Sequence, residues 1–285
     1  MFMMAPNNEP MRLEYLREQA RGVRKSVNLL FVHGICVGAW VWAEHFLKHF
    51  AGLGYNSVAV SLRGHGGSEG RERIHAFALR DFADDLDAAM AQLDGPTVII
   101  AHSMGGGVAQ YFLRRGGRAV GLALMSSVPP YGLASASATM ALRDPALWRE
   151  LSRLQGNGAG GVNFEVLERS LFSARLGEIE RRRILALFSH PATRASVELA
   201  GWKSIAPMPW AAPPVFVMGA ENDRFIPPSE VALTAAYYSV LSHIVPRASH
   251  VMMIGPEWRA AADALAGWLD QDRFRWNRFR DPPET

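Results

Sequence analysis

The sequence predicts an α/β fold, a mostly parallel sheet flanked by helices, on three observations. Short apolar runs alternate with helical stretches along the chain. The runs are apolar throughout instead of alternating, as strands covered on both faces must be. One of them passes directly into a serine-centred turn and then a helix, Thr97 to Ala109.

Taken in order, Asn28 to His33 is the first buried strand, followed by Ser57 to Leu62, Thr97 to Ala101, Val120 to Met125 and Val215 to Met218. Leu241 to Val245 is the last. Between them, Leu79, Phe82, Leu86, Met90 and Leu93 recur at three- and four-residue spacing, one face of a helix within His75 to Leu93. Gly105 to Arg115 and Glu230 to Tyr238 are further helices. The last begins near Pro256, where proline suits a first turn, and carries Trp258, Ala261, Ala262, Leu265 and Leu269 on one face.

The alternation breaks from Tyr131 to Pro209, where helical segments such as Phe164 to Phe172 and Gly177 to Phe188 occur without a strand. About eighty residues are too many for a plain loop in a compact domain. The reading is a helical lid, 131–209, inserted into a core domain formed by 1–130 and 210–285. The run Gly156 to Gly161 within it serves either as a hinge or as a surface connection.

At 285 residues, 49% of them hydrophobic, the chain can bury one large core. No apolar run approaches the roughly 18 residues that a membrane span needs. Met1 to Ser26 interleaves apolar residues with Asn7, Glu9, Arg12, Glu14 and Arg17 and lacks the apolar stretch of a secretory signal, so a cytoplasmic location is expected. Cys36 is the single cysteine, which excludes an internal disulfide and a thiolate metal cluster. The nine histidines show no H-x-x-x-H spacing with a third ligand nearby, and neither a metal nor another cofactor is expected. Net charge is only +3, with 30 basic residues spread among 27 acidic ones. Arg181 to Arg183 and the tail from Arg273 to Arg280 read as a solvated helix face and a surface tail, not as a nucleic-acid site. A small molecule is the expected partner. The sequence carries no signal for an oligomeric state.

The chemistry concentrates at Ala101-His102-Ser103-Met104-Gly105. Strand, turn and helix with serine at the apex is the context of a nucleophile elbow. Small residues at 101 and 105 let the helix pass close to the strand, and the helix N-terminus favours developing negative charge. The competing reading is an ordinary serine N-cap.

Four motifs then occur in an order that resembles the α/β-hydrolase superfamily, from about residue 12 to 270. They are Val32-His33-Gly34-Ile35-Cys36-Val37-Gly38-Ala39-Trp40; Leu62-Arg63-Gly64-His65-Gly66-Gly67-Ser68; the elbow; and the pair Gly219 to Pro227 and Ala248 to Met253. The resemblance implies a triad in the order Ser103, Asp223, His250. A serine hydroxyl needs a base to take its proton. Histidine titrates in the right range, and a buried carboxylate fixes its tautomer. Glu221 lies close to Asp223, but the aspartate has the family's spacing to Pro227; Ser126 and Ser127 leave the alternative acid position without a carboxylate. The same resemblance implies an oxyanion hole from the backbone N–H groups of Ile35 and Met104. His33 and His65 are expected to organise loops, His102 to point away from substrate, and His243 to be structural.

Gly34, Trp40, Trp42, Tyr131, Trp148, Phe172, Phe188, Trp202 and Val251 are the candidates for an apolar pocket between lid and core. The loop His33 to Trp40 looks like that of plant-type methylesterases and the related hydroxynitrile lyases. Those lyases carry threonine at the position of Gly34 and lysine at that of Val251, so the resemblance implies ester hydrolysis. Aspartate at position 103 would mark a dehalogenase or epoxide hydrolase. The implied reaction is cleavage of a carboxylic ester of a small, largely apolar substrate through an acyl-serine. Carbon–carbon bond hydrolysis, haloperoxidase-like perhydrolysis and a non-hydrolytic small-molecule receptor are the alternatives.

Overall fold

A computed structural model of the chain describes residues 11–157, 161–201 and 203–271. Its centre is a sheet of seven strands: β1 (Glu14–Glu18), β2 (Asn28–Val32), β3 (Asn56–Ser61), β4 (Thr97–His102), β5 (Gly121–Met125), β6 (Val215–Ala220) and β7 (Ser242–Val245). The spatial order is β1-β3-β2-β4-β5-β6-β7. Every pairing is parallel except that of β1 with β3.

Eleven helices accompany the strands among the described residues: α1 (Trp40–Ala43), α2 (Phe46–Gly52), α3 (Leu79–Met90), α4 (Met104–Arg114), α5 (Ala134–Arg143), α6 (Pro145–Asn157), α7 (Phe164–Leu171), α8 (Glu178–Leu187), α9 (Thr193–Ala200), α10 (Pro228–Tyr237) and α11 (Trp258–Leu269). The sheet is covered on both faces, which explains its apolar strands. In β2, Leu30 and Val32 face one core with Phe82, Leu86, Val108 and Phe112 from α3 and α4. Leu29 and Phe31 face the other, with Trp42, Phe46, Phe50 and Leu265 from α1, α2 and α11. Successive strand residues point to opposite faces, so a continuously apolar strand feeds two cores at once.

β1 has no counterpart among the predicted strands. Its residues are half-buried and mostly polar, which gives no apolar run. Glu14 instead ties the edge to the glycine-rich turn: its Oε2 accepts from Ser61 Oγ at 2.6 Å and from the Gly67 N–H at 3.0 Å. The predicted helix at His75 to Leu93 is shorter, Leu79–Met90, and a 3-10 turn at Arg71–Ala76 precedes it.

Between β5 and β6 the chain runs through α5 to α9 with no strand among the described residues. Gly156 and Asn157, expected in a glycine link, end α6; Gly158 to Gly160 lie outside the described residues. The insertion is tied to the core by hydrogen bonds from Ser189 N to Cys36 O at 2.9 Å and from Val251 N to Leu171 O at 3.0 Å. Arg181, Arg182 and Arg183 pair with Glu168, Glu178 and Glu44, so this basic run is a charge-paired helix face. The tail from Arg273 to Arg280 lies outside the described residues. No helix of the described residues is long and apolar enough to cross a membrane.

Candidate active site

The strand order reverses direction between β2 and β4, since the chain leaves β3 and passes over β2 to reach β4. Loops at the carboxyl ends of such neighbours diverge and leave a crevice. The loop after β2 carries Gly34 and Ile35; the turn after β4 carries Ser103 and Met104. Topology alone therefore brings the two predicted oxyanion donors to opposite sides of one crevice.

Ser103 adopts φ 51°, ψ −120°, a backbone conformation that L side chains rarely take. The following helix forces it. A Cβ on Gly105 would sit 2.3 Å from the His33 carbonyl oxygen, and one on Gly106 2.0 Å from Ser127 Oγ. Only glycine permits α4 to start this close to β2 and β5, and the sharp turn projects Ser103 Oγ out of the sheet edge. Gly34 makes the matching approach from the other side, since a Cβ there would meet His102 Nδ1 at 2.9 Å and Ser103 Cβ at 3.0 Å.

His250 reaches the serine from the loop after β7, and Asp223 from the loop after β6. The Ser103 hydroxyl lies 3.0 Å from His250 Nε2, and His250 Nδ1 lies 2.8 Å from Asp223 Oδ2. The second carboxylate oxygen, Oδ1, accepts from the N–H groups of Phe225 at 2.8 Å and Ile226 at 2.9 Å. Both oxygens are thus engaged, and the Asp223 side chain is wholly enclosed. With Oδ2 accepting from Nδ1–H, Nε2 is left as the acceptor of the serine proton. Glu221, the competing acid, instead accepts from the Arg247 N–H at 2.7 Å, away from the imidazole.

The N–H groups of Ile35 and Met104 have no acceptor among the described residues. Met104 opens α4, where the first amides of a helix lack internal partners. Cys36, beside them, holds φ 63° and is 2% exposed; burial pushes its thiol up to about 12. It packs in the turn as a neutral small side chain.

His33 donates from Nδ1 to the Gly34 carbonyl at 2.7 Å and accepts at Nε2 from the Leu62 N–H at 2.9 Å, which stitches the loop after β2 to the end of β3. Burial brings His33 down to about 4 and His65 down to about 3, so both are neutral near pH 7. His102 borders the cavity but is only 3% exposed, and its Nε2 donates to the carbonyl of His250 at 2.9 Å. No motif spacing signals this bond, because the partner lies 148 residues away.

Over the crevice lies a cavity of about 350 Å³, bounded by the sheet edge and the insertion. Gly34, Ile35, Trp40, Ser103, Met104, Trp148, Phe172, Phe188, His250 and Val251 line it. Tyr131 does not line it: its hydroxyl is drawn outward to Glu230 Oε2 at 2.8 Å, where Ser135 also donates to the same carboxylate. Trp42 is likewise absent from the wall, being fully buried against Phe31 and Phe46. Trp202 lies outside the described residues.

Residues 27–257 match the alpha/beta hydrolase fold family, and the chain belongs to it. A non-heme chloroperoxidase of Kitasatospora aureofaciens is 37% identical over 105 residues, a match that spans 36% of this chain and only 37% of that protein. A monoacylglycerol lipase of Mycolicibacterium smegmatis is 25% identical over 83% of this chain and 88% of its own length. Among solved structures, an esterase of Exiguobacterium antarcticum superposes with a TM-score of 0.68 at 16% identity, covering 92% of this chain and 96% of that one. These relatives bear three different activities in their names, so the likeness establishes the fold, and the reaction has to be argued from the site.

Proposed function

We propose that the chain is a serine hydrolase that cleaves a carboxylic ester of a small, largely apolar substrate through an acyl-serine. The observation that carries this reading is the continuous hydrogen-bonded line from Asp223 through His250 to Ser103, opening on an apolar cavity. Ser103 Oγ attacks the ester carbonyl as its proton passes to His250 Nε2. Asp223 holds the Nδ1–H and stabilises the imidazolium. Negative charge on the former carbonyl oxygen is met by the N–H groups of Ile35 and Met104, donors that need no reorganisation. His250 then passes its proton to the leaving alcohol, and water, activated by the same imidazole, releases the acid. The line of side chains supplies every proton transfer in this sequence.

In this reading 131–209 acts as a lid over a core of 1–130 and 210–285, and the bonds from Ser189 to Cys36 and from Val251 to Leu171 hold it against the site. The cavity volume is near the lower end of ligand pockets, roughly 300 to 1,000 Å³, which fits a small ester. Among the described residues no Asp, Glu, Lys or Arg lines it, which supports a neutral substrate.

The similarity to a chloroperoxidase favours one second reading, in which hydrogen peroxide replaces water on the acyl-serine and releases a peracid. A panel of aryl esters of graded acyl and alcohol size, run with and without peroxide, tests both readings. Hydrolysis that disappears in Ser103→Ala supports the first. Peracid formation that outpaces hydrolysis supports the second. No turnover by the folded wild type contradicts both, and a small-molecule receptor then remains.

A further inference from the structure

The two halves of the relay have different supports. Ser103 sits between β4 and α4, within the core. Asp223 and His250 sit on the loops after β6 and β7, and the insertion grips both loops. Arg224, next to Asp223, pairs through Nη1 with Asp144 Oδ2 at 2.9 Å. The other oxygen of Asp144 accepts from the Leu147 N–H at 3.1 Å, at the start of α6. Val251, next to His250, donates its N–H to the Leu171 carbonyl at 3.0 Å, at the end of α7.

Phe225 joins these ties to the imidazole. Its N–H donates to Asp223 Oδ1 at 2.8 Å, which sets it beside the acid. Its half-buried side chain packs against the insertion's own apolar cluster of Met140, Leu147 and Leu167. The same ring lies 4.7 Å from the His250 ring, centroid to centroid, with the planes 40° apart. Rings at that separation attract one another. His102 approaches the imidazole from β4 at the same 4.7 Å. Hydrogen bonds to Asp223 and Ser103 hold the two ring nitrogens of His250 and leave the tilt of its plane to packing. His102 supplies that packing from the core, and Phe225 supplies it from the side of the insertion.

We infer that Phe225 is a positioning residue through which the insertion holds the His250 ring in line with Ser103. The insertion is then a support of the relay as well as a wall of the cavity, and a shift of its apolar cluster changes the rate. The inference rests on the ester-hydrolase reading of Ser103 and adds a means of regulating that same site. Phe225 also borders the cavity, so the rival is a role in substrate binding alone, which would act on KM. Leu147 separates the two. It is fully enclosed and, among the described residues, stands apart from the cavity wall, so its route to the imidazole runs through Phe225.

The test measures kcat and KM on a short aryl ester, and the rate at which a small fluorophosphonate modifies Ser103. The proteins are the wild type, Phe225→Ala, Phe225→Leu, Leu147→Ala and the double variant of Phe225→Ala with Leu147→Ala, with Tm reporting folding. Phe225→Ala is expected to lower kcat and the labelling rate together by about 10- to 100-fold, as a small misalignment does, with KM changed by less than about threefold. Phe225→Leu keeps an apolar contact with the cluster and recovers part of both; it carries the comparison if the alanine variant does not fold. Leu147→Ala lowers kcat by about three- to tenfold alone and adds little in the double variant, because the two residues act in series. An unchanged kcat in the Phe225 variants, a loss confined to KM, or a Leu147→Ala effect that multiplies in full in the double variant would overturn the positioning role and leave the hydrolase reading intact. A folded wild type that cleaves no ester and takes up no label would overturn that reading and the positioning role with it.

Discussion

His102 Nε2 donates to the main-chain carbonyl of His250, 2.9 Å away, and thereby joins the strand that presents the serine to the loop that presents the imidazole. The two rings lie 4.7 Å apart. Burial, and next the neighbouring His250, hold His102 well below the ordinary histidine value, so it bonds as a neutral donor near pH 7. On the proposed mechanism, His102→Ala lowers kcat by about 10- to 100-fold with a small effect on KM, because a loosened His250 loses alignment with Ser103. His102→Gln keeps a donor and recovers part of the rate. Steady-state kinetics on one aryl ester checks this; an unchanged kcat in the alanine variant contradicts it.

Gly105 tests the turn itself. Its Cβ would lie 2.3 Å from one backbone oxygen and 2.9 Å from another, His33 O and Val32 O, neither of which can rotate away. Gly105→Ala should destabilise the fold by about 1 to 3 kcal/mol and lower activity more than the stability loss explains. Urea denaturation with parallel kinetics measures both. An alanine variant of wild-type stability would show that the helix approaches less closely than described.

Arg63 and Asp85 form an enclosed pair beside the glycine-rich turn, with Asp85 accepting from Arg63 Nε and from the Arg63 N–H, both at 2.8 Å. Their side chains are 16% and 1% exposed. Asp85→Ala leaves the guanidinium buried without its partner and should cost about 3 to 5 kcal/mol. Exposed pairs such as Arg12–Glu69 should change stability by no more than about 1 kcal/mol when broken.

Acid stability follows from the same groups. The pKa values of His33 and His65 fall on folding, to about 4 and about 3, because burial disfavours their charged forms. The unfolded chain therefore binds protons first, and stability declines as pH drops below about 6.5. By pH 4 each histidine costs on the order of 3 kcal/mol. Burial raises Asp85 to about 6 against the pull of Arg63, so Asp85 acts oppositely and offsets on the order of 2 kcal/mol over the same window. The histidines prevail. Urea midpoints should fall steadily from pH 7 to pH 4, and a flat profile would contradict the enclosed, neutral imidazoles.

The central strands were legible because burial on both faces leaves nothing polar in them, as in Leu29 to Val32. Glu14–Glu18 was not, since an edge strand held through Glu14 and Ser61 needs no apolar run. At the site, the resemblance of four motifs to the α/β-hydrolase superfamily implied that Ser103, Asp223 and His250 belong together, and they lie within hydrogen-bond distance of one another. It could not orient side chains. Tyr131 bonds outward to Glu230 and His102 bonds back to His250, because partners distant in sequence settle those directions.

The most direct test of the account is reaction with a fluorophosphonate, followed by intact-mass and peptide mass spectrometry. One adduct per chain, located on Ser103, absent in Ser103→Ala and formed far more slowly in His250→Ala, is the predicted result. A folded wild type that takes up no label, or ester hydrolysis that persists undiminished in Ser103→Ala, would contradict it.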